Sequence, residues 1–187
     1  MGFLGQLIPR KGVDVLLAAV ARALASGTPV EVTIVGDGPE RRALEELSRS
    51  LGIDDRIRFV GAVRYEEVGR YLREMDVLVL PTRYDYRAMV VLEALAAGIP
   101  VITTTADGNS TSTVVDGENG FVVPPDDPDA LAQRLALLAT DPTALGRVRQ
   151  GASGTRIPTP AEAAEALVSL LGIGPRPVVS GGGERPR

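Results

Sequence analysis

The chain has 187 residues, 44% hydrophobic and 24% charged, with a formal net charge of -4, the balance of an ordinary globular domain. An acidic chain exerts no general attraction on nucleic acid or an anionic membrane, so any phosphate binding must be local. Cysteine and histidine are both absent, which excludes disulfides, thiolate and imidazole metal ligands, cysteine nucleophiles and a Ser-His-Asp triad built from this chain alone.

Residues 2–8 read as a short buried strand that gives way at Pro9, and from Val13 the apolar positions Val13, Leu16, Leu17, Val20 and Leu24 recur at helical spacing. The β-branched run at residues 30–35 ends in Gly36, after which Pro39 suits the first turn of a helix running to about residue 51. "RIRFVG" is a strand at residues 56–61, a helix follows over about 65–74, and "DVLVLP" is a continuous apolar strand ending at Pro81. A helix through Glu93 and Ala97 stops at Gly98; "PVITTT" and "NGFVVP" are the next strands, and "DPDALAQRLALLATD" opens with an aspartate cap and continues as an amphipathic helix.

Strands alternating with helices predict an α/β fold with a doubly wound, Rossmann-like parallel sheet, because parallel neighbours need crossover connections. Ligands then bind beyond the carboxyl ends of the strands, here the loops after residues 5, 35, 61, 80 and 103. One domain is expected over residues 1–171, followed at 172–187 by a flexible Gly- and Pro-rich tail, "GIGPRPVVSGGGERPR". No apolar run approaches the roughly 20 residues that span a bilayer, and "MGFLGQLIPRKG" lacks a signal-peptide layout. A soluble cytoplasmic chain is the expectation.

Several loops offer chemistry. Lys11 and Gly12 stand just before a helix whose first amides favour an anion, although local sequence alone favours reading Arg10 and Lys11 as a solvated turn. "VGDGPE" carries Gly36 and Gly38 but has Arg41 where a dinucleotide fingerprint needs a third glycine. These glycines either let backbone approach a flat base or serve a tight turn. Asp85 and Glu93 are eight residues apart, slightly over two helical turns, so both can face one pocket; alternatively Asp85 only caps the helix. Glu93 lies in "MVVLEALAAG", where a carboxylate among apolar neighbours needs a hydrogen-bonding or charged partner. Asp127 and Asp129 resemble a metal pair, but they stand at a helix start and read as capping acids.

Five segments in order, "FLGQLIPRKGVDVLLAA", "VGDGPERRALEEL", "IRFVGAV", "DVLVLPTRYDYRAMVVLEALAAGIPVI" and "DGENGFVVPPDD", cover about residues 3–150. Together they closely resemble the C-terminal, donor-binding half of retaining GT-B glycosyltransferases. The resemblance implies transfer of a sugar from a nucleoside-diphosphate sugar, such as a UDP-sugar, to an acceptor hydroxyl with retention, with no metal or other cofactor required. It implies that Glu93 hydrogen-bonds the ribose, that Asp85 lies near the sugar, and that Lys11 neutralises the diphosphate. Backbone at Ala88, Met89 and Val90 would add amide donors, and loops around Gly36, Gly38 and Ala62 would hold the base. The leaving diphosphate gains negative charge as the glycosidic bond breaks, so fixed cations and amides favour the transition state over the ground state.

The chain departs from the family pattern at several positions. Gln6 stands where an arginine of the diphosphate pocket is usual, Asp85 where a glutamate is usual, Tyr86 and Arg87 where small and aromatic residues are usual, and Ser112 near a common glutamate. Arg87, at the start of the anion-facing helix, is expected to replace the charge lost at Gln6. The "ADGNSTSTVV" loop, residues 106–115, is expected to reshape sugar selection. Family members carry a preceding acceptor domain, whereas Met1 here falls almost on the first strand. This chain alone is therefore expected to bind donor but transfer poorly unless a partner chain supplies the other half, and the apolar wall left open suggests homo-oligomers. A non-catalytic nucleotide- or protein-binding module is the alternative, favoured by Gln6, Asp85 and Ser112; an epimerase of the same architecture is a more distant one.

Overall fold

In the computed structural model, which describes residues 1–86, 88–157 and 162, six parallel strands form one sheet. They are β1 Gly2–Leu4, β2 Val32–Val35, β3 Ile57–Gly61, β4 Leu78–Leu80, β5 Val101–Thr104 and β6 Gly120–Val123, in the spatial order β3-β2-β1-β4-β5-β6. Helices α1 Val13–Ala25, α2 Arg41–Ser50, α3 Tyr65–Arg73, α4 Met89–Ala96, α5 Pro128–Thr140 and α6 Pro142–Gly154 complete the architecture. This is the expected doubly wound α/β fold. All these elements belong to a unit spanning Met1–Arg156; of a second unit, Ile157–Arg187, only Ile157 and Glu162 are described. The expected tail and the boundary at residue 171 lie outside the described residues.

Central strands are buried on both faces, which is why they read as apolar runs: every residue of β4 and β5 is buried. Phe3, Ile34, Leu78, Leu80 and Ile102 make the sheet's contribution to the core, each fully buried aliphatic side chain stabilising it by roughly 1.5–3 kcal/mol. Helix α1 packs on α5, and each buries an apolar stripe, Leu16, Leu17 and Val20 on one and Leu131 and Leu135 on the other.

The structure corrects several boundaries. The first strand ends at Leu4 rather than residue 8, because beyond it the chain follows β2 alone: Gly5 N–H donates to Val35 O and Leu7 N–H to Asp37 O, whereas registered pairing with β4 is limited to Gly2 with Leu78. Pro39 precedes α2 instead of opening it. Helix α6 was not anticipated; its buried face is only Ala144, Val148 and Ala152, a weak periodic signal, and Asp141 caps it through the amides of Thr143 and Ala144. Asp127 caps α5 through the amides of Asp129 and Ala130, in agreement with the capping reading. Among the described residues no helix is long and apolar enough to cross a membrane.

Candidate functional site

The strand order reverses between β1 and β4, and in doubly wound sheets the crevice at such a switch point is where ligands bind. Two loops meet there. The β1–α1 loop contains a single 3-10 turn, Pro9–Lys11, followed by Gly12 in the left-handed region at φ 66°. A Cβ at Gly12 would stand 2.0 Å from the Pro81 carbonyl oxygen, so glycine is what lets this loop rest on the end of β4. The contact carries Lys11 to Asp85: Lys11 Nζ lies 2.6 Å from Asp85 Oδ2, and Arg10 Nη1 lies 3.0 Å from the same oxygen. Lys11 is 8% exposed. Asp85 is no helix cap, since that position belongs to Ala88; the acid is engaged by the two cations instead.

Arg83 ties the same loops together. Its Nη1 and Nη2 bond both oxygens of Asp14 at 2.8 and 2.6 Å, Nη1 also donates to Pro9 O at 2.6 Å, and Nε bonds Asp126 Oδ1 at 2.7 Å. The Arg83 backbone N–H and the Thr82 hydroxyl both donate to Arg10 O, each at 2.8 Å.

Beneath the start of α4 lies a carboxylate that the sequence did not mark. Asp107 is 1% exposed and accepts from the Thr103 hydroxyl at 3.0 Å, from the Asn109 N–H at 3.2 Å, from Asn109 Nδ2 at 3.1 Å and from the Ala88 N–H at 3.4 Å. Asn109 Nδ2 lies 3.0 Å from Ala88 O as well, and Asp85 and Asp107 form a parallel bridge, so the loops after β4 and β5 hold each other. This corrects one expectation: the Ala88 amide points to Asp107 and not to an external anion. Those of Met89 and Val90 follow, at helix positions that have no intrahelical acceptor.

Burial alone would raise the carboxyl pKa values of Asp14 and Asp85, but the Arg83 fork overrides it at Asp14, and the Lys11 hydrogen bond and charge, aided by Arg10, override it at Asp85; both sit below the usual carboxylate range. A lowered folded-state pKa stabilises the fold above the unfolded value and is lost as pH falls through the folded one. Stability from these two pairs is therefore expected to hold at neutral pH and decline below about pH 4. Urea midpoints between pH 7 and pH 3 check this, and Asp14→Asn and Asp85→Asn should each flatten the decline; an unchanged slope would remove the pairs from the account.

Glu93 is half-buried on α4, and the Tyr65 hydroxyl donates to its Oε1 at 3.4 Å. Both residues border a groove of about 560 Å³ between α3 and α4 that Leu72 and Ala97 also line. Around the mouth of the site Tyr65, Tyr84, Tyr86 and Met89 are exposed. Gln6 and Ala62 are also exposed. At Gly36 and Gly38 an added Cβ would meet Gly5 O at 1.8 Å and Leu7 O at 2.3 Å, so the chain's own close packing demands these glycines. Arg87 lies outside the described residues. A cavity of about 740 Å³ opens at the other, amino-terminal end of the sheet, around Val32, Ile57 and Val77, and its lining includes none of Lys11, Arg83, Asp85, Glu93 and Asp107.

Residues 1–141 match the family model described as "Glycosyl transferases group 1". Among curated proteins, the alpha-D-kanosaminyltransferase of Streptomyces kanamyceticus is 30% identical over 151 residues, which make up 81% of this chain and 39% of that protein. The D-inositol 3-phosphate glycosyltransferase of Kribbella flavida is 35% identical over 152 residues, 76% of this chain and 35% of that protein. The chain thus spans well under half the length of these relatives. Of solved structures, HepE from Anabaena in complex with UDP superposes with a TM-score of 0.73 at 25% identity, covering 82% of this chain and 42% of that one. The C-terminal domain of the group 1 glycosyl transferase LpcC from Francisella tularensis superposes at 0.74 with 25% identity, covering 82% of this chain and 81% of that domain.

Proposed function

Because this chain belongs to the group 1 glycosyl transferases, we propose that Met1–Arg156 is a donor-binding half of a retaining GT-B enzyme, taking up a nucleoside-diphosphate sugar at the β1–β4 crevice. The observation that carries this reading is the meeting of Lys11 and Asp85 at the point where the strand order reverses. HepE, which binds UDP, shares the fold, and that makes a uridine nucleotide the first candidate. In this scheme Lys11 and the amides of Met89 and Val90 hold the diphosphate, Glu93 takes the ribose hydroxyls, and the loops at Gly36, Gly38 and Ala62 border the base. The loop at 106–115, with Ser110 and Ser112, borders the sugar and bears on which sugar is accepted.

The reaction follows from that placement. The bond from the anomeric carbon to the phosphate oxygen breaks, charge grows on the diphosphate, and the cation and amides stabilise it as it grows. An acceptor hydroxyl bonds the same carbon from the same face, and its proton passes to the departing phosphate oxygen, so no side-chain base is called upon. The acceptor, its binding domain and a cytoplasmic setting belong to the same proposal, as does a requirement for that second domain, from the same or another chain, for efficient transfer.

Calorimetric titration with UDP, GDP, ADP and TDP, followed by assay of the matching nucleotide sugar for turnover, tests the reading. Binding of one of the four is expected; failure of all four would sink it and leave a non-catalytic interaction module. That second reading draws its support from Lys11, whose ammonium already bonds the chain's own Asp85. Glu93 has its own test: wild type is expected to prefer UDP over 2′-deoxy-UDP by about tenfold, and Glu93→Ala to erase the preference, since a site built to bond a hydroxyl penalises its loss. An equal preference in both proteins would take Glu93 out of the ribose site.

A further inference from the structure

Arg83 bonds both ends of the loop that carries Lys11, and its role does not follow from its charge. Two carboxylates, Asp14 and Asp126, share its one guanidinium at 2.6–2.8 Å, so it has no net positive charge to offer a phosphate. What it does offer is span. It reaches Pro9 O, two residues before Lys11, and Asp14, three residues after it, while its own backbone bonds Arg10 O and its chain continues to Asp85 two residues later. Its third arm holds Asp126 at the β6–α5 turn, the one described non-glycine residue with positive φ, at 55°.

We infer that Arg83 is a positioning residue whose planar fork fixes the Lys11 loop against the Asp85 loop and thereby sets the diphosphate cradle. The inference rests on the donor-binding reading above. Lysine carries the same charge but lacks the fork, so two substitutions separate charge from geometry. Arg83→Met removes both, and Arg83→Lys keeps the charge.

The 187-residue wild type, R83M and R83K are titrated with UDP and with uridine, with thermal unfolding recorded for each. R83M is expected to bind UDP about tenfold more weakly and R83K roughly threefold to tenfold more weakly, with uridine affinity unchanged within about twofold in both. Unchanged UDP binding in both variants would overturn the inference. So would a wild-type affinity in R83K beside a loss in R83M, which would assign the effect to charge alone. An equal loss of UDP and uridine would also overturn it, because that marks general loosening. If wild type itself binds no UDP, the uridine-nucleotide reading fails first, and amide hydrogen exchange then decides: Lys11 N–H donates to Ile8 O and Gly12 N–H to Pro9 O. Faster exchange at these two amides in both variants upholds the brace, and unchanged exchange sinks it.

Discussion

Lys11→Met is expected to weaken UDP binding by about 30- to 100-fold while leaving uridine binding close to wild type, the scale of one charge-assisted hydrogen bond of roughly 1.5–3 kcal/mol. Two effects act in the same direction. The substitution deletes the cation that stands almost dry at the switch point, 8% exposed, where its field is least screened by water. It also leaves Asp85 neutralised by Arg10 alone, at 3.0 Å on a more exposed side chain, so a carboxylate begins to repel the incoming diphosphate. Methionine preserves length and most of the packing, which keeps folding from confusing the result. A stability loss of roughly 1–2 kcal/mol is expected, less than for a fully buried pair because Arg10 remains. Calorimetry with UDP and uridine at two salt concentrations is the measurement, and a loss of UDP affinity below about threefold would remove Lys11 from the phosphate site.

The second large effect concerns Asp107. Asp107→Ala is expected to cost about 3 kcal/mol, since it takes the acceptor from the Thr103 hydroxyl, the Asn109 amide and side chain, and the Ala88 N–H, all in a region closed to water. In a chain of this length that corresponds to a thermal midpoint lower by about 6–12 °C. Asp107→Asn keeps an acceptor oxygen for the Ala88 and Asn109 amides and should recover part of the loss. Circular dichroism melts of the three proteins decide the matter; an alanine variant within about 1 kcal/mol of wild type would show that the network is slack.

The fold was legible because its signals are local. Apolar runs marked β4 and β5 as strands covered on both faces, and the 3.6-residue spacing from Val13 onward marked α1. Helix α6 was illegible because its buried face is made of two alanines and one valine, residues that create little periodic contrast. The site divided in the same way. Lys11 was visible as a cation just before a helix, Asp85 and Glu93 through their eight-residue spacing, and Glu93 also as an acid among apolar neighbours, while the roles expected of them came from the family resemblance. Arg83 and its partners were not visible, because Arg83 finds Asp126 across 43 positions of sequence and Asp14 across 69, and no window of local pattern contains such a pair. Asp107 sits in a polar loop where a solvated acid is the ordinary case, so nothing in its neighbours announced a buried one. The capping alternative for Asp85 failed for a related reason: a cation 74 positions away in the chain claimed the carboxylate.

The single registered pair between β1 and β4 has a thermodynamic consequence. The sheet is two sequence-continuous βαβ halves, β1 to β3 and β4 to β6, zipped along their shortest ladder. Lys11 hangs from the first half, whereas Asp85 and Glu93 hang from the second. On the donor-binding proposal, a nucleotide gripped by both would act as a rivet across that line, and at a hundred times its dissociation constant it would add about 2.7 kcal/mol to the resistance of the whole unit against melting.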